Sequence, residues 1–205
     1  MRSLIVLSAT ASVFAMGCVQ LPAVPFPAPS SPARQVVVLD IDGTLTPHDL
    51  SVFEARPDAE KVVAAYLRKG YKIVYVTTRV PEFQSGLAQW LEKHNFPSQP
   101  VHIAQTAEER KMPAAFKASI LRSYTEKGWQ LAYAYGDSST DFLAHVSAGI
   151  PQGRIFALKR RGREVCEGGG FATCLDDWTA HIGYVEREVP SLKDAQTINP
   201  PDAAR

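Results

Sequence analysis

Residues 36–46 read VVVLDIDGTLT, and this segment constrains the chain more than any other. Four apolar residues, 36–39, have the length and character of a buried strand. Asp40 and Asp42 close it. In an extended chain residues i and i+2 lie on the same side. Gly43 then lets the backbone turn sharply, and Thr44 follows. Two carboxylates at the lip of a parallel sheet repel one another unless a cation compensates, so a purely structural role for both is costly. The pattern points to metal or phosphate chemistry. The plain alternative is a solvated Asp-Gly turn behind an edge strand.

Matching pieces follow in order. IVYVTTR, residues 73–79, is an apolar run ending in Thr77 and Thr78. AAFKASIL places Lys117 on a helix. YAYGDSSTD, residues 133–141, is a strand followed by Gly136, Asp137 and Asp141. Strands are predicted at 35–40, 71–76, 100–104, 131–135 and 154–158, and helices at 57–69, 82–94, 113–127 and 138–148. The first helix opens with Pro57 and closes at Gly70. Leu87, Trp90 and Leu91 share one helical face, and Phe116, Ile120, Leu121 and Tyr124 another, which reads as core. The alternation predicts an α/β, Rossmann-like fold, a parallel sheet with helices on both faces. Ligands in such sheets bind beyond the carboxyl ends of the strands, where Asp40, Thr77 and Asp137 fall.

The order Asp-x-Asp-Gly-Thr, Thr, Lys, Gly-Asp-x-x-x-Asp resembles the four motifs of the haloacid dehalogenase-like phosphohydrolases. DIDGTLT, YVTTR, FKASIL, YGDSSTD and RIFALKRRG more narrowly resemble the catalytic domain of the lipin / Smp2 (LNS2) family, the magnesium-dependent phosphatidate phosphatases. This chain carries Asp137 where that family more often has Asn. It also lacks the family's long amino-terminal region, which bears on the substrate more than on the reaction.

The resemblance and the residue types together imply roles. Asp40 is the expected nucleophile, forming an aspartyl-phosphate. Asp42 is the expected general acid and then base, its pKa raised by the neighbouring carboxylate. Magnesium prefers oxygen ligands; Asp40, the backbone carbonyl of Asp42, and Asp137 would supply them. Asp141, one helical turn on, buttresses the site. Thr77 and Lys117 would bond the phosphoryl oxygens, with Lys111 the rival for Lys117. Thr78 and Arg79 face either the substrate or a solvated rim. Neither gap between motifs has room for a cap domain. The open site that results suits a phosphate displayed on a membrane or macromolecule.

The ends read differently. Arg2 and an apolar stretch at 4–15 form a signal peptide too short to span a bilayer. Ala15-Met16-Gly17-Cys18 resembles a bacterial lipoprotein processing site, with Cys18 lipidated; an ordinary cleaved signal is the alternative. The expected organisation is a leader at 1–18, a Pro-rich linker at 19–34, the phosphatase domain at 35–189 and a disordered tail at 190–205. Residues 19–33 hold five prolines and favour an extended spacer of roughly 3 Å per residue, about 45 Å in all. The chain would then be exported and lipid-anchored in the cell envelope, on the periplasmic side or cell surface. A formal net charge of +1 argues against a nucleic-acid partner held by bulk electrostatics.

Cys166 and Cys174 bracket EGGGFAT and could close a loop in an oxidising compartment; two free thiols are the alternative. Lys159, Arg160, Arg161 and Arg163 form a basic cluster, read as a solvated loop or a contact to anionic lipid. Trp178 and His181 are expected to pack a final helix onto the sheet. Three readings of function follow: a magnesium-dependent phosphatase of phosphatidate or a related lipid phosphate, the same chemistry on a protein, nucleotide or soluble metabolite, and a non-catalytic lipid-phosphate-binding module.

Overall fold

A computed structural model of the chain describes residues 20–29 and 34–193. The expected signal peptide, the lipidation of Cys18 and the expected tail from residue 194 onward lie outside the described residues. Six parallel strands form one sheet in the order β3-β2-β1-β4-β5-β6. They are β1 Gln35–Leu39, β2 Lys72–Thr77, β3 Val101–Ile103, β4 Gln130–Gly136, β5 Ile155–Leu158 and β6 Thr173–Leu175. The helices are α1 Ala59–Arg68, α2 Leu87–Lys93, α3 Ala107–Lys111, α4 Pro113–Glu126, α5 Ser139–Ser147 and α6 Ile182–Arg187. Val38 on the central strand faces Val74 on one side and Ala134 on the other. The strand order reverses between β1 and β4, and ligand crevices form at such a switch point.

Alternation along each strand builds two cores. Val37, Leu39, Ile73, Tyr75, Tyr135 and Phe156 pack beneath α1, α2 and α6. Val36, Val38, Val74, Val76, Ala134 and Ile155 pack beneath α4 and α5. Helices therefore cover both faces, and the strands read as continuous apolar runs because neither face meets water.

The structure departs from the sequence reading in five places. A sixth strand, β6, pairs with β5 at the sheet edge. The helix expected at 82–94 is broken into a single turn at Pro81–Phe83 and α2, with Gly86 at the N-cap. Helix α3 stands before α4 and begins with a capping box, Thr106 against Glu109. Finally, the Pro-rich segment is seated on the domain over residues 20–29 rather than standing free. Phe26 stacks on His102 with ring centroids 4.6 Å apart, and Trp129 Nε1 donates to the Pro27 carbonyl at 2.7 Å. Proline content excludes a helix there, but it does not prevent an extended chain from docking through its apolar residues. Likewise, the first residues of the expected tail pack: Leu192 N donates to the Lys69 carbonyl at 2.8 Å. No helix among the described residues is long and apolar enough to cross a membrane.

Candidate active site

The first motif leaves β1 at Asp40 and turns at once. Gly43 adopts φ +86°, and a Cβ there would stand 1.9 Å from Asp137 Oδ2. Glycine is thus required twice, by the left-handed backbone and by the close approach of the fourth motif. At Gly136, a Cβ would meet the Asp141 Cβ at 2.4 Å. Buried partners clamp the loop. Arg56 donates to the Gly43 carbonyl at 2.8 Å and to the Lys159 carbonyl at 2.7 Å. Trp178 Nε1 donates to the Thr44 carbonyl at 3.1 Å.

Asp40, Lys117, Asp137 and Asp141 converge at the carboxyl end of β1 and β4. Lys117 reaches over from α4 and donates to Asp40 Oδ1 and to Asp141 Oδ1, each at 2.5 Å. Lys117 therefore takes the place for which Lys111 was the rival. The other oxygen of Asp141 accepts from the Asp137 and Ser138 backbone N–H groups at 3.2 Å and from the Ser138 hydroxyl at 2.7 Å. Both of its oxygens are engaged, which is the arrangement of a buttress.

Asp42 lies apart from this cluster. Thr77 donates its hydroxyl to Asp42 Oδ2 at 2.7 Å, and Arg79 donates to Oδ1 through Nη2 at 2.5 Å and Nε at 3.0 Å. The expected pairing of Asp42 with a neighbouring carboxylate is thus replaced by pairing with a guanidinium. Thr77 contacts Asp42 rather than standing free for a phosphoryl oxygen. Arg79 is buried and belongs to the site, so the solvated-rim reading of it is corrected. Thr78 lines the cleft beside it. Lys117, Asp40, Asp42, Asp137 and Arg79 border one open cleft of about 470 Å³.

The electrostatics single out the buried carboxylates. Burial lifts the Asp40 carboxyl well above the ordinary range, and the neighbouring Asp141 and Asp137 add to this against the opposing Lys117. Burial, then Asp141, pushes Asp137 up to about 7, although Arg160 pairs with it and opposes the rise. Burial would lift Asp141 as well, but Lys117 and His145 hold it down to about 2.

A hard divalent cation fits this donor set. Ligand oxygens of Asp40, Asp137 and Asp141 lie within 4.8 Å of one another. Asp40 Oδ2 is buried without a hydrogen-bond partner. Three carboxylates face two compensating side chains, Lys117 and Arg160. Oxygen-only donors of this kind suit magnesium. Since Asp141 is saturated, Asp40 and Asp137 are the side chains with capacity to spare.

Sequence reasoning missed Arg56 and Arg160. Arg56 stands immediately before the helix-opening Pro57, and no local pattern marks its reach into the first motif. Arg160 was visible as part of a basic cluster, but its approach to Asp137 and to Asp49 at 3.5 Å depends on β5 lying beside β4. Cys166 and Cys174 form a disulfide that ties β6 to the loop bordering the cleft.

Fold, motif order and carboxylate–lysine centre define a haloacid dehalogenase-like phosphatase. Within that class the chain belongs to the LNS2 family: it matches the family described as PITM 1-3, LNS2 domain, over residues 37–159. Two curated relatives are the phosphatidate phosphatases LPIN3 of Mus musculus and Homo sapiens. Each is 25% identical over 159 residues, covering 65% of this chain and 19% of the relative, so the chain spans a small part of their length. Among solved structures, a chain of the Pnkp1/Rnl/Hen1 RNA repair complex superposes with TM-score 0.53 at 14% identity, covering 70% of this chain and 47% of that one. DsGPDH of Dunaliella salina gives TM-score 0.52 at 16% identity, covering 73% and 28%. These two likenesses are of fold.

Proposed function

We propose that the protein is a magnesium-dependent phosphomonoesterase acting through an aspartyl-phosphate, on phosphatidate or a related lipid phosphate at the cell envelope. The observation that carries the reaction is Asp40. One of its oxygens is fixed by Lys117 and the other is unpartnered, at the floor of an open cleft. A fixed, partly desolvated carboxylate facing a cleft is what in-line attack on phosphorus needs. The fourth-motif residue Asp137, with Asp40 and the Asp42 carbonyl, would hold magnesium. When bound, the ion supplies charge neutralisation for the phosphoryl oxygens.

The chain's own groups do the rest. Asp40 forms the bond to phosphorus as the ester oxygen leaves. Asp42 exchanges Arg79 and Thr77 for the leaving oxygen, takes up a proton from solvent as the guanidinium lets go, and passes it to that oxygen; it then accepts a proton from the water that splits the aspartyl-phosphate, returning Asp40 as a carboxylate, and releases it to solvent as it pairs with Arg79 again. Freed from Asp42, Thr77 and Arg79 are placed to donate to phosphoryl oxygens. The lipid substrate is supported by the LPIN3 relatives and by a cleft that no cap covers among the described residues. Export is supported by the disulfide, which persists in oxidising compartments.

The test is phosphate release from phosphatidate, lysophosphatidate, sugar phosphates and nucleotides, each with magnesium and with excess chelator. Release from the lipid phosphates in magnesium alone is expected. Full activity in chelator would end the metal model. Preference for a sugar phosphate or nucleotide would move the substrate to the soluble class, and no release from any ester would leave a binding module.

A further inference from the structure

The cleft is rimmed by apolar side chains that nothing in the described fold covers. Eight large hydrophobic side chains are exposed among the described residues; Leu143 and Val146 lie on α5, and the other six lie in the connections that leave the carboxyl ends of β1, β2, β3 and β5. Leu50 (81% exposed) and Phe53 (75%) follow β1, Val80 and Phe83 follow β2, Met112 follows β3, and Val165 (73%) follows β5. Leu50, Val80 and Phe83 line the cleft itself together with Asp40 and Asp137. Isolated exposed apolar residues are ordinary. Six gathered at the catalytic end of one sheet, on four separate loops, are a patterned surface.

The amino-terminal segment begins at that same end. Gln20 donates to the Gln105 carbonyl, just beyond β3, at 2.7 Å. Leu21 N donates to Gln84 Oε1 at 3.1 Å, and Gln84 Nε2 donates to the carbonyl of Arg79 at 2.8 Å. From there the segment runs past His102 to Pro27, beside the start of β4. Whatever precedes Gln20 therefore meets the fold at the cleft end, and Cys18 is two residues before it.

The geometry points to a lipid bilayer as the occupant of this rim, with Leu50 and Phe53 inserted among the acyl chains and the catalytic cleft facing the membrane; this rests on the lipid-phosphate reading of the site. The tips project from four different loops, one or two to each. A protein partner would need a shaped counter-surface to bury them, whereas the fluid acyl region accepts each separately. Charge is a minor contributor here. Lys159 pairs with Asp176, Arg161 with Glu54 at 2.7 Å, and Arg160 with Asp137 and Asp49. The face thus offers inserted apolar area more than a free positive patch.

The experiment uses the chain as it stands after leader removal, from position 18 onward and carrying Cys18→Ser, so that neither the apolar leader nor an acyl anchor masks the contact, and phosphatidylcholine vesicles, which contain no phosphomonoester. A Phe53→Trp variant should be quenched by brominated acyl chains. The double change Leu50→Ser with Phe53→Ser should weaken vesicle binding on the order of tenfold or more for each side chain withdrawn. Phe53 lies outside the lining of the cleft, so Phe53→Ser alone should leave hydrolysis of a soluble phosphomonoester unchanged and lower hydrolysis of vesicle-borne lipid phosphate about tenfold. Absence of quenching at position 53, or vesicle binding unaltered in the double variant, overturns the docking face whatever the substrate. Quenching in a protein that hydrolyses no lipid phosphate would instead remove the substrate reading and leave the docking face standing.

Discussion

Lys117→Met tests the charge balance at the centre of the site. Lys117 lies 2.5 Å from both Asp40 and Asp141, and all three side chains are buried. Methionine keeps most of the stem volume and removes the ammonium. Two buried carboxylates then lack their shared counter-charge, a change that costs about 3–5 kcal/mol when one partner of a buried pair is lost. For a domain of this size the midpoint of thermal unfolding should fall by roughly 10 °C. The pH dependence has a definite sign. Without the ammonium, the Asp40 carboxyl, already raised by burial, rises further, and that of Asp141 rises above the unfolded value of about 3.9. At neutral pH the folded state must hold the charges or take up protons, while the unfolded chain ionises freely. The penalty is therefore full above the raised pKa and shrinks as pH falls toward the unfolded one. Urea unfolding in chelator at about pH 7.5 and pH 5 measures it, with the slope m compared between variants. The double variant Lys117→Met, Asp141→Asn should recover part of the loss. A single variant within about 1 kcal/mol of wild type at neutral pH, against the loss of 3–5 expected, refutes the reasoning. So does an equal penalty at both pH values.

Asp40→Asn should abolish turnover with the melting temperature preserved, and activity within about tenfold of wild type, too little to reflect a lost nucleophile, would sink its role. Asp42→Asn should lose alkyl esters far more than esters with very good leaving groups, since those need no protonation; equal loss on both would remove the acid role. Gly43→Ala forces a Cβ toward Asp137 at φ +86° and should cost about 1–2 kcal/mol from the left-handed backbone alone, along with turnover; wild-type melting would contradict the close approach. His145 is buried and held neutral, its pKa depressed by burial to about 4. Stability from it is present above the unfolded value of about 6.5 and is lost as pH falls toward 4, about 3 kcal/mol in total; because the raised carboxyls Asp40 and Asp137 act in the opposite sense over the same range, the measure is the urea-midpoint difference between wild type and His145→Gln, and a difference that stays constant with pH would refute it.

How far the sequence could be read follows from how local each interaction is. β1, β2, β4 and β5 were legible because a strand buried on both faces must be a continuous apolar run ending in turn residues. β6 was not: Thr173–Leu175 is short and at the edge, and its pairing with β5 owes more to the crossing disulfide and the position of Ile155–Leu158 than to its own residues. The break between Phe83 and Leu87 was signalled by Pro81 and Gly86, but the apolar period of Leu87, Trp90 and Leu91 outweighed it. Helix α3 carried its start signal in Thr106 and Glu109, and its five residues fell inside what read as a connection. Among the site residues, Asp40, Lys117, Asp137 and Asp141 could be placed together because each sits at a fixed offset from a strand end or on a helix crossing it. The contacts of Arg56 and Arg160 span 103 and 23 residues, and no periodicity encodes a contact at that range.

The two aspartates of the first motif show why spacing alone does not settle a role. Asp40 and Asp42 are two residues apart, and an extended backbone would set both carboxylates on one side. At 4 Å, two like charges repel by about 4 kcal/mol at a surface-like effective dielectric. The fold answers by ending the strand at Leu39 and turning at Gly43. Each carboxylate then meets its own cation, Lys117 from α4 for Asp40 and Arg79 from beyond β2 for Asp42. Asp40, the proposed nucleophile, is thereby fixed in the protein interior, where its position matters most. Asp42, the proposed acid, is held at the mouth of the cleft by a guanidinium and a hydroxyl that an arriving phosphate can draw away. VTTR, residues 76–79, supplies both of those groups within three positions. The second motif therefore sets Asp42 as well as facing the phosphate, and variants at Thr77 and Arg79 have to be read through both effects.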